Sequence, residues 1–167
     1  MTLEQAYNLI KSYVPKNSVE SLEVLKQIQE YWNYWKPKET NVLLLAESHV
    51  YTSDCDFEAF CSKIKLNEFI KNYPLRFVRL VYCLGYGEPD LLNQKLDDNS
   101  GTTQFWKILS SCIAKDDKDL GFSRILQGNS SFFGRVRNKV NILHELKRRG
   151  IWLIDASIVG IYREKQF

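Results

Sequence analysis

The sequence predicts an α/β domain in which a central, mainly parallel sheet is flanked by helices. Two short apolar runs, VLLLA at residues 42–46 and IWLID at residues 151–155, have the length and composition of buried strands. Segments with helical spacing surround them, and helices that alternate with few strands are typical of a layered domain with a parallel sheet. The chain of 167 residues is long enough for one domain with one core.

The N-terminal part of this single domain, residues 1–38, is predicted to be helical. A short amphipathic helix covers residues 3–14 and stops at a proline. Asn17 then has the character of an N-cap, and Glu20 follows three positions later as in a partial capping box. We expect a second helix from there to about Trp35, with its tryptophans in the core.

The middle of the chain carries weaker patterns. Residues 57–71 have the spacing of a helix with one apolar face. Its inward-pointing side chains are expected to be Phe60, Ile64 and either Phe69 or Ile70. Residues 76–84 fit a strand or a helix equally well and are the candidate for a third strand.

Two further helices are predicted in the C-terminal half. The first begins at Thr102 or Thr103 and reaches Cys112. The second covers residues 136–149, and Gly150 is placed to act as its C-cap directly before the strand at 151–155.

The charge is unevenly distributed along the chain. The formal net charge is +3, but residues 121–167 hold nine Lys or Arg against three Asp or Glu. A basic face of this kind can meet a phosphate backbone, or it can be an ordinary solvated helix surface.

Other sequence features narrow the class of protein. The N-terminus lacks a signal-peptide layout and no apolar run approaches a membrane span, so we expect a cytoplasmic or nuclear protein, not associated with membranes. The four cysteines show no close-paired C-x2-C spacing, which favours reduced thiols over a zinc or iron–sulfur site. We expect a monomer without metal or cofactor.

Polar side chains follow both predicted strands. Glu47, Ser48 and His49 come directly after the first strand, and Asp155 ends the second. Because ligands of open α/β sheets bind beyond the carboxyl ends of the strands, these groups are candidates for one shared site. Glu47 and His49 are the acid–base candidates, and Ser48 can hold a water or a phosphate.

Three stretches together resemble the uracil-DNA glycosylase superfamily, most closely its mismatch-specific uracil/thymine branch. They are VLLLAESH at 42–49, QFWKIL at 104–109 and the segment 146–157, in which a helix end, a glycine, an apolar strand and an acid follow one another. The resemblance implies a three-layer fold and removal of uracil or a related base from DNA by base flipping and N-glycosidic bond hydrolysis.

The resemblance also implies roles for individual residues. Residues 47–49 occupy the place of the catalytic loop, Phe105 that of the stacking surface and Asp155 that of the base-edge reader. By their place near the same sheet edge, Arg135 and Arg137 are favoured as phosphate contacts. Each site residue has a structural alternative: Phe105 in the helix core, Asp155 as an N-cap or in a salt bridge, and His49 as a hydrogen-bonded loop histidine.

The chain departs from the family pattern at several positions. Ala46 stands where a glycine is usual, Ser48 where Asn, Asp or Ala is frequent, and His49 where proline is usual. The sequence ends at Phe167, before the family's final DNA-wedging loop would come, so we expect a chain truncated at its C-terminus with weakened or lost catalysis.

Two other functions stay open on the sequence. The first is a non-catalytic, nucleic-acid-binding or structural relative of the same fold. The second is an unrelated hydrolase that uses Glu47, His49 and Asp155, although a Gly-x-Ser-x-Gly nucleophile elbow is absent from the sequence.

Overall fold

The computed structural model describes residues 1–15, 18–114, 122–126, 128 and 130–161. Their helices and strands are α1 (Leu3–Tyr13), α2 (Leu22–Trp35), β1 (Val42–Ala46), α3 (Asp54–Phe57), α4 (Lys63–Leu66), α5 (Thr103–Ser111), α6 (Phe132–Arg148) and β2 (Ile151–Asp155). Single turns of 3-10 helix lie at Pro89–Leu91 and Ser123–Ile125. Helices and a parallel strand pair therefore make a mixed α/β domain.

The two strands form a parallel pair. Val42 lies opposite Ile151 and Ala46 lies opposite Asp155, so both strands end at the same edge. The pairing continues past the strands, because the Ala156 and Ser157 N–H groups donate to the carbonyl oxygens of Ala46 and Glu47 at 2.8 and 3.0 Å. The predicted strands and their parallel direction are confirmed, and the polar residues that follow them meet at one end of the sheet.

The apolar sequence of strand β1 led us to expect burial on both faces, but the structure shows the strand largely exposed. Val42, Leu43 and Leu45 are 46%, 51% and 66% exposed. In the described part of the chain β1 pairs only with β2, so no third strand covers its other edge. The apolar run predicted the strand correctly but did not reveal its exposure.

Helix α6 is the central packing element. It contacts α2, α5 and β2, and it buries an apolar stripe that includes Val136, Val140 and Leu143. The Ser131 hydroxyl accepts from the Gly134 N–H at 3.2 Å, which starts α6 four residues earlier than predicted. Helix α6 thus packs beside the strand pair, and Lys139 on its N-terminal half lines the same cavity as Thr102.

Two predictions for the middle of the chain were wrong. Residues 57–71 contain only the one-turn helix α4 and the end of α3; Phe60 and Ile64 are 46% and 84% exposed, and only Ile70 of the expected inward residues is buried in the core. Residues 76–84 form turns rather than a strand or a helix, although most of their side chains are in the core. Their apolar character reflects burial of an irregular segment, which periodicity does not identify.

The N-terminal helices confirm the sequence pattern, but the start of the second one was misplaced. Ser21, not Asn17, stands at the N-cap of α2, and Glu20 lies just before the helix. Asn17 itself lies outside the described residues. Among the residues that the structure describes, no helix is both long and apolar enough to cross a membrane.

Candidate functional site

The structure brings His49 and Asp155 together at the carboxyl end of the sheet and adds a third group, Glu20. His49 Nδ1 lies 2.9 Å from Asp155 Oδ2, and His49 Nε2 lies 2.8 Å from Glu20 Oε2. The three side chains are at most 2% exposed. We call Glu20, His49 and Asp155 the histidine cluster.

The carboxylate of Glu20 is fully engaged inside this cluster. Its Oε1 accepts from the Thr52 N–H at 2.7 Å, and its Oε2 accepts from the Gly160 N–H at 2.8 Å in addition to the His49 bond. Charged groups are rarely buried unless they are paired and hydrogen-bonded in this way. The cluster therefore ties the N-terminal segment, the loop after β1 and the segment after β2 to one another.

The electrostatics of the cluster favour a charged imidazole. Burial alone would lower the pKa of His49, but hydrogen bonds to Asp155 and Glu20 and their negative charges raise that pKa to about 9. At neutral pH the ring is thus a cation that donates from both nitrogens. A protonated, enclosed imidazole is a poor general base, so this arrangement matches the alternative in which His49 is a hydrogen-bonded structural histidine.

The other predicted catalytic residues lie outside the cluster. Glu47 is exposed and Ser48 is half-buried, both in the loop after β1. Asp155 is buried and paired, which matches the salt-bridge alternative rather than an open base-edge reader. The structure therefore brings only two of these four residues into direct contact.

The predicted stacking and phosphate-binding residues make no contact with the histidine cluster either. Phe105 is half-buried against the core on α5. Arg135 is buried and binds Glu88, which leaves little of its guanidinium for a phosphate and speaks against the predicted contact. Arg137 is exposed and lies over the ring of Phe69, 5.6 Å from its centroid.

A second group of buried charges forms a site that the sequence did not reveal. Glu88 binds the Arg135 guanidinium through both oxygens, with NH2 2.9 Å from Oε2, and Lys139 Nζ lies 2.8 Å from Oε1. The Glu88, Arg135 and Lys139 side chains are 1%, 10% and 6% exposed. The sequence feature that could have indicated this site is the four-residue spacing of Arg135 and Lys139, which places both on one face of α6.

Glu88 and Lys139 border a cavity of about 310 Å³ that we call the Glu88 cavity. Its walls include the charged pair Glu88 and Lys139, the aromatic rings of Tyr86, Trp106 and Phe122, and the hydroxyl-bearing Thr102. Lys139 Nζ lies 5.4 Å from the centroid of the Trp106 ring. Thr102 Oγ1 is buried without a hydrogen-bond partner, and an unpaired buried hydroxyl is costly unless something binds it.

Two glycines shape the wall opposite α6. Gly87 and Gly101 both have positive φ, and a Cβ on Gly101 would lie 2.8 Å from the Gly87 Cα. The Asn99 side chain fixes this contact by accepting from the Gly87 N–H and donating to the Gly85 carbonyl, each at 2.9 Å. The wall is therefore pre-formed backbone rather than mobile side chain.

Arg79 connects the Glu88 cavity with the histidine cluster. Its N–H donates to Thr52 Oγ1 at 2.9 Å, and Thr52 in turn donates to Glu20. Its guanidinium lies 6.0 Å from the centroid of the Tyr86 ring, which lines the cavity. Arg79 thus touches both regions, through a hydrogen bond on the side of the histidine cluster and a cation–π contact on the side of the cavity.

Comparison with known proteins adds no family to these observations. No protein-family model matches the chain, and no curated protein or solved structure is significantly similar to it.

Proposed function

We propose that the protein is a DNA glycosylase-like domain that removes uracil or a related base and holds the flipped base in the Glu88 cavity. The observation that carries the proposal is the combination of an aromatic wall with buried polar groups that have spare bonding capacity. A flipped base needs a stacking surface and groups that read its edge.

The chemistry of the walls suits a ring that carries carbonyl oxygens. Trp106 and Tyr86 offer aromatic surface, while Thr102 offers an unpaired hydroxyl and Lys139 an amine with more donors than its single bond to Glu88 uses. Trp106 also belongs to the QFWKIL segment on which the family resemblance partly rests.

The three-layer arrangement of the glycosylase superfamily is part of the same proposal. Its support is the parallel pair of β1 and β2 with α6 and α2 packed against β2. DNA is the partner that the proposal implies. Glu47, exposed in the loop directly after β1, is the acid that the proposal assigns to orient the water molecule.

A second candidate is a relative of the same fold that binds nucleic acid or serves a structural role without catalysis. The histidine cluster favours it, because two residues at the positions that the resemblance makes functional, His49 and Asp155, are enclosed in an ion network. In this alternative the end of the sheet stabilises the fold and performs no chemistry.

Base release from uracil-containing oligonucleotides tests the proposal. The substrates are single strands and duplexes with uracil opposite guanine or adenine, scored by alkaline strand cleavage. The variant Thr102→Val removes the unpaired hydroxyl but keeps the shape, and Thr102 makes no side-chain cap bond to α5 whose loss would destabilise it. Loss of one neutral hydrogen bond is expected to slow release roughly fivefold.

Two further variants complete the design. Glu47→Gln is expected to reduce release more strongly if Glu47 orients the water, and Thr40→Val changes an exposed threonine and is expected to leave release unchanged. Release that is unaffected by Thr102→Val would place the base elsewhere. A folded wild-type protein that releases no base from any substrate would favour the non-catalytic alternative.

A further inference from the structure

The buried ion group of Glu88, Arg135 and Lys139, which lies beside the Glu88 cavity, holds one more positive charge than negative charge. Arg135 Nε and NH2 both bind the Glu88 carboxylate, and Arg135 NH1 donates to the Ser130 carbonyl at 2.9 Å. The guanidinium therefore neutralises Glu88 with well-matched geometry. Lys139 shares the same carboxylate as a second cation, and its amine borders the cavity.

A buried, surplus amine is chemically different from a surface lysine. Burial lowers the pKa of Lys139, and the neighbouring Arg135 charge acts in the same direction, against the opposing effect of Glu88. Desolvation and an adjacent cation are the two conditions under which lysines serve as nucleophiles, because both increase the fraction of neutral amine.

We propose that Lys139 is a nucleophile that forms an imine with an aldehyde bound in the Glu88 cavity. Once the Lys139 ammonium has given one proton to Glu88, the Nζ lone pair attacks the carbonyl carbon, and a second Nζ proton moves to the carbonyl oxygen to give a neutral carbinolamine. The carbinolamine hydroxyl then leaves as water as the carbon–nitrogen double bond forms. Glu88 Oε1, 2.8 Å from Nζ, is placed to accept the amine proton and return it to the leaving hydroxyl.

The aromatic wall supports the charged product. An imine of Lys139 carries a positive charge when it is protonated, and the Trp106 ring centroid lies 5.4 Å from Nζ. Cations at this distance from an indole face are stabilised by its quadrupole. The Trp106 ring therefore offers the protonated imine the same cation–π contact that it offers the lysine ammonium.

The aldehyde we infer is that of a deoxyribose. This choice rests on the proposed function, because removal of a base leaves the sugar C1′ in equilibrium with an open-chain aldehyde. The same chemistry can come from an abasic site in DNA or from free 2-deoxyribose 5-phosphate. Both sources already carry the aldehyde, so neither requires the protein to release a base.

Reductive trapping tests the inference. The full chain is incubated with sodium cyanoborohydride and either an abasic-site oligonucleotide or 2-deoxyribose 5-phosphate, and adducts are located by peptide mass spectrometry. We expect the adduct on Lys139, its loss in Lys139→Arg, and its retention in Lys95→Arg, which changes an exposed lysine. Arginine keeps the positive charge beside Glu88 but is not a nucleophile.

The outcomes separate this inference from the proposed function. Trapping on Lys139 by the oligonucleotide alone identifies DNA as the source, whereas trapping by the free sugar identifies a small-molecule aldehyde; each supports the nucleophile. If neither probe modifies Lys139 in folded wild type, or if only exposed lysines react, the inference is overturned. Site mapping on wild type gives this answer even if Lys139→Arg does not fold, and it is independent of the base-release assay.

Discussion

His49 is held inside the protein as a cation between two carboxylates. Its ring nitrogens contact Asp155 and Glu20 at 2.9 and 2.8 Å, and its side chain is fully buried. An imidazole that loses its proton there would lose one of two charge-assisted hydrogen bonds while remaining desolvated. The protonation of this single residue is therefore coupled to the stability of the fold.

We predict that the free energy of unfolding decreases between about pH 6.5 and pH 9. The folded-state pKa of His49, about 9, lies above its unfolded value of 6.5, so its stabilising contribution is complete below pH 6.5 and is lost as the pH rises through 9. The pKa difference corresponds to about 3 kcal/mol. Urea unfolding of wild type at several pH values measures the slope.

The other histidine supplies the control for this measurement. His144 is exposed on α6, so His144→Gln should leave the pH dependence between 6.5 and 9 intact. In His49→Gln that dependence should be greatly reduced. A wild-type unfolding free energy that stays constant across this range would show that His49 is not a buried cation.

Asp155→Ala is predicted to destabilise the fold before it affects any ligand. Removal of one carboxylate leaves the His49 cation with a single ionic partner in the interior, and breaking a buried pair costs about 3 kcal/mol or more. The matched control is Glu145→Ala, which breaks partly exposed pairs with Arg148 and Arg149 and should cost much less. Thermal unfolding of both variants measures the two losses of stability. An equal decrease of the melting temperature in the two variants would contradict a special role for the histidine cluster.

At the scale of the elements, the turn between α6 and β2 depends on a glycine. Gly150 has φ +73°, and its carbonyl accepts from the N–H groups of Asn41 and of Val42, the first residue of β1. A Cβ at this position would lie 2.5 Å from Asn41 Nδ2 and 2.7 Å from the Glu39 carbonyl oxygen. This turn therefore sets the register of the strand pair.

Gly150→Ala should consequently destabilise the protein by at least about 1 kcal/mol from backbone strain alone. The close backbone contact at Glu39 adds to that cost, because it cannot be relieved by a side-chain rotation. Gly128→Ala is the comparison, since nothing lies within 4 Å of its added Cβ. The measurement is the denaturant midpoint of each variant. Equal midpoints for Gly150→Ala and Gly128→Ala would argue against a strained turn.

The basic residues of α6 show why the number of positive charges in a sequence segment does not reveal whether a helix has a basic surface. Arg135 and Lys139 bind Glu88 in the interior, and Arg148 and Arg149 bind Glu145. Lys147 donates to the Tyr34 carbonyl. Much of the apparent basic face thus satisfies partners within the chain, and a phosphate-binding surface cannot be assigned from the count of positive residues.

At the scale of the whole molecule, the sequence predicted the regular elements better than the irregular ones. Both strands, their parallel pairing and α1, α5 and α6 follow from periodicity, caps and glycine. The segment at 76–84 was not predictable, because an irregular chain buried by long-range contacts has no period to detect.

The site was predictable only in part, for the same physical reason. The positions of His49 and Asp155 at the ends of the predicted strands identified them as candidates. Their partner Glu20 lies outside the sheet, and its sequence context suggested a helix cap. Glu88 lies in a glycine-rich turn, and its partners are 47 and 51 residues away in the chain. Buried ion networks join residues that no local pattern connects.

The strand pair also has a consequence for how the chain is made. His49 and Asp155 lie 106 residues apart, and Glu20 receives its bond from Gly160 across 140 residues. At ribosomal rates of roughly 5 to 20 residues per second, 106 residues separate the synthesis of these partners by roughly 5 to 20 seconds. During that interval β1 lacks its strand partner and Glu20 lacks its bond from Gly160, so the hydrogen-bonding edge of β1 stays open to wrong pairing until β2 has been made.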